Sequence, residues 1–228
     1  MTVTAIVLSY HREPNIGLIL AALEKQTTPP EEIILINNNP KHRFNFGHIT
    51  VLNGNKNWGC PIRHAIGLLA KTSHCLFTDD DIELEAGAVQ NLMGWAEKYP
   101  ESIIGWQGRR LVKGDHPYSK APPLVAGSEP VPVDVVMGKL HLCRKEKLVL
   151  PFTMMGRLER FDHFSCDDVA LCLANRLGGS QNYLVPMPAG SGAREINEYG
   201  IGLGHAADWW EKRDEAVRAM LGVEDGGD

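Results

Sequence analysis

Apolar positions in the first hundred residues switch repeatedly between a strand period and a helix period. Thr2-Val-Thr-Ala-Ile-Val-Leu-Ser9 is a β-branched apolar run that stops at Tyr10-His11-Arg12-Glu13-Pro14, where a proline in a first helical turn is well tolerated. Ile16, Ile19, Leu20 and Leu23 recur at helical spacing until Thr27-Thr28-Pro29-Pro30, and Glu32-Ile-Ile-Leu-Ile-Asn37 reads as a second buried strand. Strand, helix and strand in so short a span predict a βαβ unit, hence parallel pairing with a right-handed crossover. The same pattern predicts strands over 49–52, 75–78 and 102–106 and helices over 61–71 and 84–98. After Arg110 the texture changes, with Pro117, Pro122, Pro123, Pro130 and Pro132 marking a loop-rich excursion. Strand character resumes over 131–137, and helices are predicted at 166–177 and 206–221. The expectation is an α/β protein with a central sheet flanked by helices in a single compact domain. Residues 1–112 form a nucleotide-binding half, 113–221 a second half packed on the same sheet, and 222–228 a frayed tail.

The chemistry concentrates where the fourth predicted strand ends. Thr78-Asp79-Asp80-Asp81-Ile82 places three acids in succession, and in open α/β sheets ligands bind outside the carboxyl ends of the strands. Alternation along an extended segment would send Asp79 and Asp81 to one side and Asp80 to the other. Carboxylates held so close repel, and a hard divalent cation that also accepts phosphate oxygens is the usual compensation. The predicted ligand is therefore a metal-bound nucleotide diphosphate. The bland reading is a solvated N-terminus of the next helix, starting near Glu83 or Glu85. A second acidic pair, Asp167-Asp168, opens the predicted helix at 166–177, where Asp167 reads as a dipole complement. Gly200-Ile-Gly-Leu-Gly-His205 ends in a histidine that is either a helix cap or a metal ligand.

Composition narrows the class. The 228 residues are 43% hydrophobic and 22% charged, which excludes a disordered or collagen-like chain. A formal net charge of −5 argues against bulk binding to nucleic acid. The basic clusters Arg109-Arg110 with Lys113, and Arg144-Lys145 with Lys147, read as solvated surface. Five cysteines at irregular spacing, without a C-x-x-C pair, predict reduced thiols, and Cys60 and Cys166 read as inert despite lying near helix starts. The N-terminal run shows neither a signal-peptide pattern nor a membrane span, so a cytoplasmic location is expected. Trp58, beside Asn57, is the tryptophan placed to stack on a ligand, whereas Trp95, Trp106, Trp209 and Trp210 read as packing. No P-loop, nucleophile elbow or H-E-x-x-H is present, and the late G-x-G-x-G follows no first strand.

The ordered set Ser9-Tyr-His-Arg12, Ile36-Asn-Asn38, Asn57, Arg63 and Thr78-Asp-Asp-Asp-Ile82 resembles the GT-A (Rossmann-like) glycosyltransferases, with their mixed central sheet. Ile103-Ile-Gly-Trp-Gln-Gly-Arg109, Ser165-Cys-Asp-Asp-Val-Ala-Leu171 and Gly202-Leu-Gly-His205 with Arg213 are most similar to the exostosin-like hexosaminyltransferase domain. The resemblance covers nearly the whole chain. It implies transfer of a hexose or N-acetylhexosamine from a UDP-sugar with retention of configuration. Mn2+ or Mg2+ would be held chiefly by Asp81, with Asp79 and His205. Ser9, Tyr10, Arg12, Asn38, Asn57, Arg63, Asp79 and Asp80 would line the donor site. Asp168 would face the reacting centre and Arg213 the diphosphate or donor sugar. The family's acceptor is not carried over, because 113–150 has no counterpart; a glycan, a lipid-linked sugar, a protein and a modified nucleobase all stay open. Two alternatives remain: an inverting enzyme with Asp168 as general base, and a non-catalytic module that binds a sugar nucleotide or a glycan.

Overall fold

A computed structural model describes residues 1–155, 165–196 and 208–222. The first half runs β1 (Val3–Ser9), α1 (Glu13–Glu24), β2 (Glu32–Asn37), β3 (Thr50–Asn53), α2 (Ile62–Gly67), β4 (His74–Asp79), β5 (Ile82–Leu84) and α3 (Ala88–Lys98). There follow β6 (Ile104–Gly105), β7 (Gln107–Arg109), β8 (Pro123–Val125), β9 (Val131–Val133), β10 (Val135–Val136) and β11 (Leu140–Arg144). The chain continues through α4 (Leu150–Met155), α5 (Asp167–Leu177), β12 (Asn182–Leu184), β13 (Ala193–Glu195) and α6 (Trp209–Leu221).

Eight strands form the central sheet in the order β3-β2-β1-β4-β11-β6-β12-β9. The first four are parallel, as the βαβ pattern requires, and β11 adds antiparallel to β4, making the sheet mixed. β1 is buried at all seven positions because both edges are paired and both faces are covered. Side-chain alternation sorts the core into two layers. Ala5, Val7, Leu35 and Leu76 pack with α1 and α3, whereas Ile6, Ile34, Ile36 and Phe77 share the other face with α5 and α6. Where β6 crosses this sheet, Gly105 has no room for a side chain: a Cβ there would lie 2.2 Å from Val136 Cγ1 and 2.6 Å from the Leu140 carbonyl oxygen.

Several expectations are corrected. The acid run does not cap the following helix, because β5 intervenes and α3 begins only at Ala88. Asp80 and Asp81 sit in a turn, so strand alternation does not orient them. The single strand expected over 131–137 divides between two sheets as β9 and β10, and that expected over 102–106 shortens to β6, with β7 following it in the second sheet. The expected helix over 61–71 contracts to α2. Among the described residues no helix is long and apolar enough to cross a membrane.

Candidate active site

Register brings the carboxyl ends of β1, β2 and β4 together: Ser9 lies opposite Asn37, and Leu8 opposite Asp79. Antiparallel β11 enters from the other side, and the Asp79 N–H donates to the Lys139 carbonyl at 3.1 Å. The resulting cleft has a volume of about 390 Å³. A second cavity of about 550 Å³, between α5, α6 and the 111–117 loop, lies apart from the acid run.

Each acid of the run has a different environment. Asp80 is buried and accepts the Tyr10 N–H at 2.8 Å and Arg12 Nη1 at 2.8 Å, while its own carbonyl accepts Asn15 Nδ2 at 2.9 Å. It fastens the β4 turn to the loop after β1. Asp81 lies 3.3 Å from Arg12 Nη2 through Oδ2, and its buried Oδ1 has no hydrogen-bond partner among the described residues. Burial, then the charge of Asp79, pushes the Asp81 carboxyl up to about 7 despite Arg12. Asp79 is the most open of the three and accepts Arg63 Nη1 at 2.7 Å. Burial raises its pKa too, against the pull of Arg63.

Asn38 and Asn57 line the same cleft. Asn38 Nδ2 donates to the Gly59 carbonyl at 2.9 Å, and Asn57 Oδ1 accepts the Gly59 N–H at 2.9 Å, holding a turn whose glycine has φ of 75°. Asn38 Oδ1 is buried and lacks a hydrogen-bond partner among the described residues. Ser9 is fully buried and does not line the cleft; its carbonyl accepts the Asn38 N–H at 2.7 Å.

The opposite wall comes from α5 and α6. Asp168, 5% exposed, accepts Arg213 Nη2 on both oxygens at 2.7 Å, the Gly138 N–H at 2.9 Å and the Val169 N–H at 2.9 Å. Arg213 Nη1 donates to the Ser165 carbonyl at 2.9 Å, and its guanidinium lies over Tyr118 at 4.3 Å and Trp209 at 4.7 Å. Burial alone would lower the Arg213 pKa, and the charge and hydrogen bond of Asp168 together with Tyr118 and Cys166 raise it above its ordinary value. His205 lies outside the described residues, as does Gly200-Ile-Gly-Leu-Gly204.

Other cleft groups were not legible in the sequence. Asp167 is no mere dipole complement: it is 2% exposed with Oδ2 at 3.0 Å from Arg63 Nε. Trp209 packs on the core as expected but also lines the cleft, as does Trp210, and Tyr118 joins them from the proline-rich excursion, which carries no motif. Buried Asp214 fixes that excursion by accepting the Tyr118 N–H at 2.7 Å and the Ser119 N–H at 2.9 Å. Arg109 is not surface either; it is 6% exposed and lies 5.0 Å over both Tyr118 and Trp210. Cys60 lines the cleft, but burial drives its thiol pKa upward, away from reactivity.

A glycosyl transferase family 2 model matches residues 4–148, well over half of the chain. The chain belongs to glycosyl transferase family 2. The match contains the acid run and Arg63 and stops before α5. No curated protein sequence matches this family 2 member. Among solved structures, the crystal structure of GalNAc-T7 with UDP, GalNAc and Mn2+ aligns with a TM-score of 0.62 at 15% identity, covering 86% of this chain. The family 2 chain spans 44% of that chain's length. The fold is GT-A, with its mixed sheet and flanking helices in one compact domain.

Beneath the cleft, His64 and His141 face each other with Nε2 atoms 3.4 Å apart, both fully buried. Burial depresses both pKa values well below 6.5; Arg63 adds to the effect on His64, and His64 and Arg63 to that on His141. A depressed folded-state pKa means that each imidazole contributes stability above pH 6.5 and loses it as pH falls, because the unfolded chain then binds protons that the native state refuses. Asp81, with its raised value, acts in the opposite sense, so the informative quantity is a difference. Below pH 6.5 the stability of His141→Leu should decline less steeply than wild type, by up to about 1.4 kcal/mol per pH unit. Urea unfolding at pH 7.5 and 5.5 checks this, and parallel declines would contradict it.

Proposed function

We propose that this glycosyltransferase moves a sugar, a hexose or N-acetylhexosamine, from a UDP-sugar to an acceptor hydroxyl, with retention and with a divalent cation. The observation that carries the reading is the meeting, in one cleft, of the Asp79 and Asp81 carboxylates with the Asp168–Arg213 pair. The donor set fits a hard cation bound through one or two carboxylates and substrate phosphates: the buried Asp81 Oδ1 lacks a hydrogen-bond partner among the described residues, and Asp79 faces it as a like charge. Two carboxylates leave positions that His205, phosphate oxygens and water would fill. Asp81 and Asp79 would hold Mn2+ or Mg2+, which when bound neutralises charge on the departing diphosphate. UDP and Mn2+ in the GalNAc-T7 structure and the exostosin-like motifs support the same choice.

Residues 1–112 would serve the donor. Asn38, whose buried Oδ1 lacks a hydrogen-bond partner among the described residues, and Asn57 would orient the nucleoside, and Tyr10 and Arg12 would flank it from the loop that Asp80 anchors. Residues 113–221 would supply the reacting side and meet the acceptor. Three donors engage Asp168: Arg213 Nη2 across both oxygens, the Gly138 N–H and the Val169 N–H. Of the roughly four lone-pair directions of a carboxylate, few remain to take a proton from an acceptor hydroxyl, which disfavours the inverting general base. Asp168 is suited to stabilise an oxocarbenium-like centre by its charge, with Arg213 holding it in place.

Thermal unfolding with nucleotide diphosphates, each with Mn2+ and with a chelator, tests the proposal. A ligand at about 100 times its dissociation constant adds roughly 2.7 kcal/mol, a rise of about 5–10 °C for a chain of this size. The rise should be selective for uridine, require Mn2+ and vanish in Asp81→Ala. Equal shifts in wild type and Asp81→Ala would remove Asp81 from the site.

A further inference from the structure

We infer that Asp167 is a positioning residue that presents Asp79 to the cation by dividing the hold of Arg63 between two carboxylates, an inference that rests on the function just proposed. Arg63 is 3% exposed, and its guanidinium spans Asp79 Oδ1 at 2.7 Å through Nη1 and Asp167 Oδ2 at 3.0 Å through Nε. Nη1 also donates to the Gly138 carbonyl at 2.9 Å, and the Gly138 N–H holds Asp168 Oδ2 at 2.9 Å. One peptide and one arginine therefore tie the end of β4 to the start of α5, with consecutive residues Asp167 and Asp168 facing the two halves of the site.

Two consequences for Asp79 share one direction. The Arg63 Nε–H donates to the Cys60 carbonyl at 3.3 Å, while Asp167 Oδ2 meets the same nitrogen at 3.0 Å by charge, which draws the guanidinium toward α5 and so decides which Asp79 oxygen stays available. Asp167 also takes part of the Arg63 charge, which would otherwise be spent on Asp79 alone and compete with a cation. Removing the Asp167 charge should therefore weaken cation binding, although Asp167 lies on the far side of Arg63. A helix-terminus complement alone would leave cation affinity unchanged.

The test is direct Mn2+ binding, read from the electron paramagnetic resonance of free Mn2+ titrated with full-length protein, with and without UDP. With UDP, Asp167→Asn should raise the Mn2+ dissociation constant about 10–100-fold, the range for partners that orient metal ligands. Circular dichroism checks that the variant is folded. Should Asp167→Asn fail to fold, Arg63→Lys carries the test, since it keeps a positive charge beside Asp79 without the fork, and the same weakening is expected. Wild-type affinity in either folded variant overturns the inference while leaving the proposed function intact. No Mn2+ binding by wild type with UDP present overturns both.

Discussion

Asp168→Asn should bind donor nucleotide like wild type and transfer sugar about 10²–10³-fold more slowly, the range for removing one preorganised electrostatic contact at a reacting centre. The carboxylate is engaged by three donors, Arg213 Nη2 across both oxygens and two backbone N–H groups, and is held within the cleft that contains the acid run. An amide has nearly the same shape but no charge, and its NH2 cannot accept from Arg213. The loss should appear in kcat rather than in the donor KM, because the charge matters when the anomeric centre becomes positive. Steady-state kinetics with a chromatographic readout of released UDP checks this, and unchanged turnover would exclude Asp168 from the reaction. The anomeric configuration of the product, read by NMR, separates retention from inversion.

Arg213→Ala should have the largest effect on stability, roughly 3–5 kcal/mol, the scale for leaving one member of a buried ion pair without its partner. Asp168 would keep only two backbone donors in a site where it is 5% exposed, and Tyr118 and Trp209 would lose the cation between them. For a chain of this length the melting temperature should fall by about 10 °C. Arg213→Lys retains a charge but loses the second nitrogen that holds the Ser165 carbonyl and the planar stack, so it should lie between wild type and Arg213→Ala. Because Arg213 and Asp168 act as one unit, the double variant should lose little more activity than Asp168→Asn alone. Calorimetry and turnover on the four proteins test both statements, and strictly additive losses would show that the pair is not coupled.

The local pattern foretold most of the first half of the fold. Strand and helix periods placed β1, α1, β2 and β4 within a few residues, because buried parallel strands must be apolar throughout and amphipathic helices repeat every three to four positions. The acid run was equally visible, although in the sequence it read both as a cation site and as the solvated start of a helix. Short strands such as β12 and β13 carry no such pattern; three residues are too few to establish a period. The resemblance carried by the order of motifs indicated a glycosyltransferase, as the family 2 match bears out. The burial of Arg109 and the cleft position of Trp209, Trp210 and Tyr118 followed from how a proline-rich excursion packs on α6 through Asp214, a contact spanning 96 residues. The division of labour among the acids was likewise tertiary. Asp80 is consumed by Arg12 and Tyr10, Asp167 by Arg63 and Asp168 by Arg213, and a linear sequence cannot assign those partners. Hydrophobic periodicity is local and repeats along the chain, whereas the fate of a buried charge depends on which distant group arrives within about 3 Å to compensate it.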